Sequence, residues 1–266
     1  MHPPLLASSN LAPLDLLLIT LAALGAGVAN AMAGGGTFIT FPILTAVGFS
    51  PTVANITNTV ALSPGYLGGT LAQRDDLRNQ RKRLWAFLTT GVVGGVIGGF
   101  LLVQTKEQIF EALVPFLILG ATGLLAFQDR LRAWVARRTD SQRDANGGVA
   151  LWAIGLVFVA SIYGGYFGAG LGIVLLAVIG LGVHDSLTRV NALKQATSFC
   201  VNVSAALFFV FSGKVAWEAA AVMAVGALIG GVIGGRFAGR IGDTVLRRIV
   251  VTLGLVVAAI FFVKLF

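Results

Sequence analysis

Apolar residues run almost unbroken over 14–32 and again over 37–47, with only Ala33-Gly34-Gly35-Gly36 between them. No charge or surface-loop signal separates the two runs. Non-helical backbone at membrane depth persists only when protein buries it or it lines a polar cavity. The same pattern returns one half-chain later at Phe167-Gly168-Ala169-Gly170-Leu171-Gly172, ahead of a second short apolar run over 171–181. Two glycine-broken segments in matching positions point to the binding site of a transporter.

The remaining apolar runs complete ten predicted helical segments. Segments one and two are those flanking the first break. Segment three covers 51–72, opened by the cap Ser50-Pro51 after Gly48. Segment four covers 84–103, and segment five ends near 127 after a capping-box pattern, Thr105 with Gln108. Segment six covers 149–166, and segment seven, 171–181, ends at Gly182. His184-Asp185-Ser186 caps segment eight, which reaches 211. Segment nine covers 215–238, Gly242-Asp243 breaks the chain, and segment ten covers 245–266.

Gly34, Gly36 and Gly48 align with Gly168, Gly170 and Gly182 at one constant offset. Gly-Gly-Val-Ile-Gly-Gly occurs at 94–99 and again at 230–235. The shared order of broken helix, short helix, capped long helix and glycine-rich helix predicts duplication. The expected organisation is therefore an N-terminal half over 1–127, a basic linker over 128–148 and a C-terminal half over 149–266. The glycines at 91, 95 and 99, and at 226, 230 and 234, are read as close-packing faces.

Composition fixes the solvent. The 266 residues are 56% hydrophobic and 11% charged, with mean hydropathy +0.88. Water-soluble domains carry about 25% charged residues, so this is a polytopic membrane protein. The net charge of +8 is no sign of nucleic acid, because the basic residues cluster between apolar segments. The lone Cys200 excludes an intrachain disulfide. With the 74–83 loop, the linker, Arg189 and the 236–248 cluster inside, fifteen basic residues face inward; Lys106, Lys214 and Lys264 face outward. That asymmetry favours ten crossings, both termini outside, and two inverted five-segment halves.

Candidate chemistry follows from what remains polar. Asn191, Lys194, Ser198 and Asn202 share one face of segment eight, while Asn55, Asn58, Thr59 and Tyr66 recur at helical spacing in segment three. Lys194 lies about 13 Å past Asp185, where an ionisable side chain is costly and marks a substrate or ion pathway. Its alternative is a lysine that snorkels to the inner interface. For Asn58 and Asn202 the alternative is interhelical hydrogen bonding, and for the broken glycines close packing. A helix that begins at membrane depth at Thr37, or after Gly170, presents free N–H groups that suit an anion. None of the eleven acidic residues lies mid-segment, so no carboxylate proton relay is expected. His2 and His184 lie at or outside segment ends, which leaves a metal-centred membrane enzyme without ligands.

The run Asn30-Ala31-Met32-Ala33-Gly34-Gly35-Gly36-Thr37 followed by Pro42, its partner Gly168-Ala169-Gly170, and Asn191-Ala192-Leu193-Lys194 through Asn202 and Gly213-Lys214-Val215-Ala216-Trp217 resemble the TauE/SafE sulfite-exporter family. The resemblance covers essentially the whole chain. It implies a multi-pass permease of the bacterial cytoplasmic membrane for sulfur-containing or organic anions, with no cofactor. The second motif is Gly-Ala-Gly rather than three glycines, so the two half-sites differ. The expectation is thus an all-α integral membrane permease with a substrate site at Asn30, Gly34, Gly35, Gly36, Thr37, Asn58, Gly168, Gly170, Lys194, Ser198 and Asn202. A cation carrier using unwound carbonyls and a non-transporting assembly subunit are the alternatives.

Overall fold

The computed structural model describes residues 11–32, 34–127, 151–183, 185–237 and 244–265, with Arg130, Ala133, Trp134 and Arg137 between them. The rest of the linker, His184 and the Gly242-Asp243 break lie outside the described residues. Ten α-helices and one 3₁₀ turn make up the described secondary structure, and no strand occurs among those residues. The helices are α1 (Pro13–Met32), α2 (Thr37–Ala46), α3 (Pro51–Ala72), α4 (Arg81–Gln104) and α5 (Glu107–Ala126), then α6 (Leu151–Tyr166), α7 (Leu171–Gly182), α8 (Leu187–Val210), α9 (Trp217–Phe237) and α10 (Thr244–Leu265). The 3₁₀ turn Arg74–Leu77 follows α3.

Local chemistry sets these boundaries. Ser50 and Ser186 each accept a hydrogen bond from the backbone N–H three residues on, Val53 at 3.5 Å and Arg189 at 3.4 Å. Gly48, with φ +107°, reverses the chain between α2 and α3. Several boundaries differ from the sequence expectation: α4 starts at Arg81 rather than 84 and α9 at Trp217 rather than 215, and the cap of α5 is absent. Thr105 does not cap α5, which starts after Lys106 without a side-chain cap. Its hydroxyl instead donates back to the Leu101 carbonyl at 2.7 Å and finishes α4, so the Thr105–Gln108 capping box does not form.

The lipid-facing surface is apolar, and polar side chains are buried inside among an apolar core. Leu14, Leu17, Leu21, Val93, Phe100 and Phe116 stand exposed, whereas Asn30, Thr57, Asn58, Lys194, Gln195 and Thr197 are buried. Helices α1, α4, α5, α8 and α9 are long and apolar enough to cross a membrane. At 22 residues α3 has the length, but its Asn, Thr and Ser stripe lowers its hydropathy.

Glycine faces hold the helices together. On α4, Gly94 and Gly98 abut α6, where a Cβ on Gly98 would fall 2.1 Å from the Ile162 oxygen. On α9, Gly226 and Gly230 abut α1, where a Cβ on Gly230 would fall 2.0 Å from the Leu24 oxygen. Packing is thus the role of both glycine-rich helices. The most extensive helix pairings recur when each helix is exchanged for the one five later. Thus α1 packs on α9 as α6 packs on α4, and α9 packs on α3 as α4 packs on α8. Two counterpart pairs, α3 with α8 and α5 with α10, pack on each other. Helix α9 thus packs against α1 and α3, and α4 against α6 and α8.

Candidate functional site

The first break is a tight backbone turn. Gly34 adopts φ +93°, and its N–H donates to the Ala29 oxygen at 2.7 Å. The Asn30 carboxamide oxygen accepts the Gly36 N–H at 2.7 Å, so a side chain of α1 caps the start of α2. Gly35 is buried, and its carbonyl accepts the Phe38 N–H. The second break uses Gly168 (φ +75°) and Gly170 (φ +72°). It has no counterpart of Asn30. There Tyr163 of α6 donates its hydroxyl to the Ala169 carbonyl instead.

The two breaks touch. A Cβ built on Gly34 would fall 2.7 Å from the Gly172 Cα, and one on Gly172 would meet Gly34 at the same distance. Only residues without side chains permit this approach. It brings the start of α2 against the start of α7, and the two short helices do not pack along each other. Two positive dipole ends therefore share one region of the protein interior.

Lys194 of α8 is 1% exposed, and its Nζ donates to the Asn30 backbone carbonyl at 3.4 Å. Asn30 thus links the buried ammonium to the first turn of α2. On the opposite side of that turn, Thr40 donates its hydroxyl to Asn58 Oδ1, and Asn58 Nδ2 donates to Thr37 Oγ1 at 3.3 Å. Ser198 and Asn202 share the face of Lys194 but take other partners. Asn202 Nδ2 donates to the Ser198 carbonyl at 2.9 Å, and its side chain hydrogen-bonds with the Tyr66 hydroxyl of α3. Ser198 Oγ is buried without a partner among the described residues.

The structure therefore joins Asn30, Gly36 and Lys194 in one group and Thr37 and Asn58 in another, with Gly34 beside the second break. The space beside Thr37, lined also by Phe38, Phe41, Phe167 and Ala169, measures about 10 Å³, room for roughly one water.

Sequence reading missed Thr40, which ties Asn58 to α2, and the pairing of the two polar helices. A signal exists. Ser50, Thr52, Asn55 and Asn58 recur in register as Ser186, Thr188, Asn191 and Lys194. In that register Lys194 stands where the earlier series has Asn58.

At the start of α8, Asp185 binds Arg83 Nη1 at 2.7 Å and Arg189 Nε at 2.9 Å. Burial works to raise the Asp185 carboxyl. The Ser186 N–H, the hydrogen bond and charge of Arg189, and Arg83 outweigh it and hold the carboxyl below its ordinary range. Arg189 also donates to the Arg78 carbonyl at 3.0 Å. Among the described residues no group of three metal-ligating side chains occurs.

A helical bundle with an apolar surface, polar side chains buried in its interior and two abutting helix breaks is a multi-pass membrane protein of the transporter class. Comparison with known proteins makes the class specific: the chain belongs to the sulfite exporter TauE/SafE family, whose profile matches residues 19–261. A "Probable membrane transporter protein" of Haemophilus influenzae is 27% identical over 231 residues, covering 86% of this chain and 88% of its own. The "Probable membrane transporter protein YfcA" of Escherichia coli K12 is 27% identical over 254 residues, 93% and 89% of the two chains. A Sinorhizobium relative described in the same terms is 26% identical over 251 residues, 91% and 90% of the two chains.

Proposed function

We propose that the chain is a permease for a small anion, sulfur-containing (sulfite, sulfoacetate, thiosulfate) or organic, in a bacterial cytoplasmic membrane. The observation that carries this reading is Lys194, buried and bonded to Asn30 at the first turn of a helix that starts inside the protein. A buried ammonium and two helix starts all favour negative charge in the same place. The family's name supports a sulfur oxyanion as the first class to assay. A membrane assembly subunit has no need of a lysine at that depth.

The halves are read as inverted. At 10 and 12 residues, α2 and α7 rise about 15 and 18 Å, together close to the ~30 Å hydrocarbon core. Starts that abut at mid-depth and run to opposite faces fit those lengths. The bonds from Arg83 to Asp185 and from Arg189 to Arg78 join segments that charge asymmetry assigns to one side, the cytoplasmic one.

The test is uptake and efflux of a panel of labelled anions by the full chain in proteoliposomes, with Lys194→Gln alongside. At least one anion should move, and Lys194→Gln should weaken its binding tenfold or more, about 1.4 kcal/mol. Cation movement with no anion flux overturns the reading.

A further inference from the structure

Three carboxamides meet where the end of α3 packs on the start of α8, and hydrogen bonding fixes two of them in orientation. Gln73 Nε2 donates to the Gly69 carbonyl at 3.2 Å, a group that can only accept. Gln73 must then present Oε1 to Asn191, whose Nδ2 donates to it at 2.7 Å. That chain of donors leaves Asn191 Oδ1 buried without a partner among the described residues. One helical turn on, Gln195 is fully buried, and neither its Nε2 nor its Oε1 has a described partner. Its head group lies against bare backbone: a Cβ on Gly69 would fall 2.4 Å from Gln195 Nε2.

Unpaired buried polar atoms cost roughly 1–3 kcal/mol each. Three of them one turn apart on α8, beside the Gly69–Gln73 turn of α3, call for a partner. The set is specific in kind: two oxygens that accept and one amide nitrogen that donates. A fully ionised oxyanion offers acceptors alone and would leave both carboxamide oxygens unpaired. An anion that also carries an O–H group can donate to Asn191 Oδ1 or Gln195 Oε1 while accepting from Gln195 Nε2. We infer that Asn191 and Gln195, held by Gln73 and Gly69, form a second recognition point for an O–H group on the transported anion. This inference rests on the anion-permease reading and adds to it a requirement on the anion's chemistry.

The O–H group has two sources, a hydroxylated organic anion or a protonated inorganic oxyanion, and matched probes separate them. The first pair is 2-hydroxyethanesulfonate and ethanesulfonate, both monoanions. The second is hydrogenphosphate and sulfate at pH 8, both dianions. Purified full-length protein is titrated with each by thermal shift. Wild type should bind the O–H-bearing member of at least one pair tenfold or more tightly, since a site built around hydrogen-bonding groups rejects the analogue lacking them. Which pair discriminates identifies the source. Gln195→Leu and Asn191→Leu should bring the O–H-bearing member to the affinity of its matched partner. Gly69→Ala, which displaces the Gln195 head group and removes no polar atom, should do the same.

No discrimination by wild type in either pair overturns the inference, and is the result expected if water alone occupies the point. So does Gln195→Leu binding both members of the discriminating pair equally more weakly than wild type does. If Lys194→Gln weakens all anions while wild type ignores the O–H group, the permease reading stands and only this inference falls. Absence of binding by all four anions overturns this inference, while the permease reading is decided by the proteoliposome flux panel.

Discussion

The Nζ of Lys194 lies 3.4 Å from the carbonyl oxygen of Asn30, whose own side chain accepts the Gly36 N–H at 2.7 Å. One residue therefore couples the buried ammonium to the start of α2. Its two bonds use different atoms, so substitutions can separate them.

Asn30→Ala removes the cap and keeps the carbonyl. It should cost about 1 kcal/mol of stability, within the usual range for lost caps, read as a lower Tm of the purified protein. Asn30→Asp keeps an acceptor for Gly36 and adds a carboxylate near Lys194. Its Tm should stay near wild type while anion affinity falls, because the new charge competes for the ammonium. Unchanged anion affinity in Asn30→Asp would place the anion elsewhere.

Gly34 and Gly48 share a positive φ but not their surroundings. A Cβ on Gly34 would strike Gly172, whereas one on Gly48 meets nothing within 4 Å. Gly48→Ala should cost only the left-handed backbone penalty, roughly 1–2 kcal/mol. Gly34→Ala should cost more and abolish transport. Equal Tm losses in the two variants would show that the breaks do not depend on their contact.

The packing glycines predict a sharper contrast. Gly98→Val and Gly230→Val place side chains onto backbone oxygens of α6 and α1, so neither protein should yield a monodisperse peak in size-exclusion chromatography. Gly120→Val and Gly155→Val meet open space and should purify normally.

Asp185 gives stability a pH dependence of definite sign. Its carboxyl is held below the ordinary carboxylate range. Its contribution is therefore full above that range and is lost as pH falls through the lowered value. The Tm should drop on acidification, and Asp185→Asn should flatten that part of the profile while lowering Tm at neutral pH, because it leaves Arg83 buried beside a neutral partner.

The inverted arrangement is tested by single cysteines in a Cys200→Ser background. A cysteine at Asn79 and one at Leu265 should label from opposite sides of the membrane. Labelling from one side would refute inversion.

Much of this was legible in the sequence for definite reasons. Proline and serine caps act locally, so Ser50-Pro51 and Ser186 marked the starts of α3 and α8 correctly. Glycine spacing exposes a close-packing face whatever the partner, so α4 and α9 were read as packing helices without knowing that they pack on α6 and α1. Long-range geometry was not legible. Nothing local to Asn30 shows that its carbonyl receives Lys194, 164 residues away. The Thr105–Gln108 pattern failed because a threonine at a helix end can bond backward as readily as forward, and Thr105 bonds backward to Leu101.

The packing of α9 against α1, far earlier in the chain, also bears on how the protein is made. The face of α1 that Gly226 and Gly230 cover stays unprotected until the ninth helix leaves the ribosome, long after the first half has been inserted. Contacts this distant in sequence form late and slowly. A ribosome stalled within the linker would leave five inserted helices with an unmet groove at α1, a substrate for membrane quality control rather than a working half. The two halves expressed as separate chains should therefore survive only together, each serving as the other's last step of assembly.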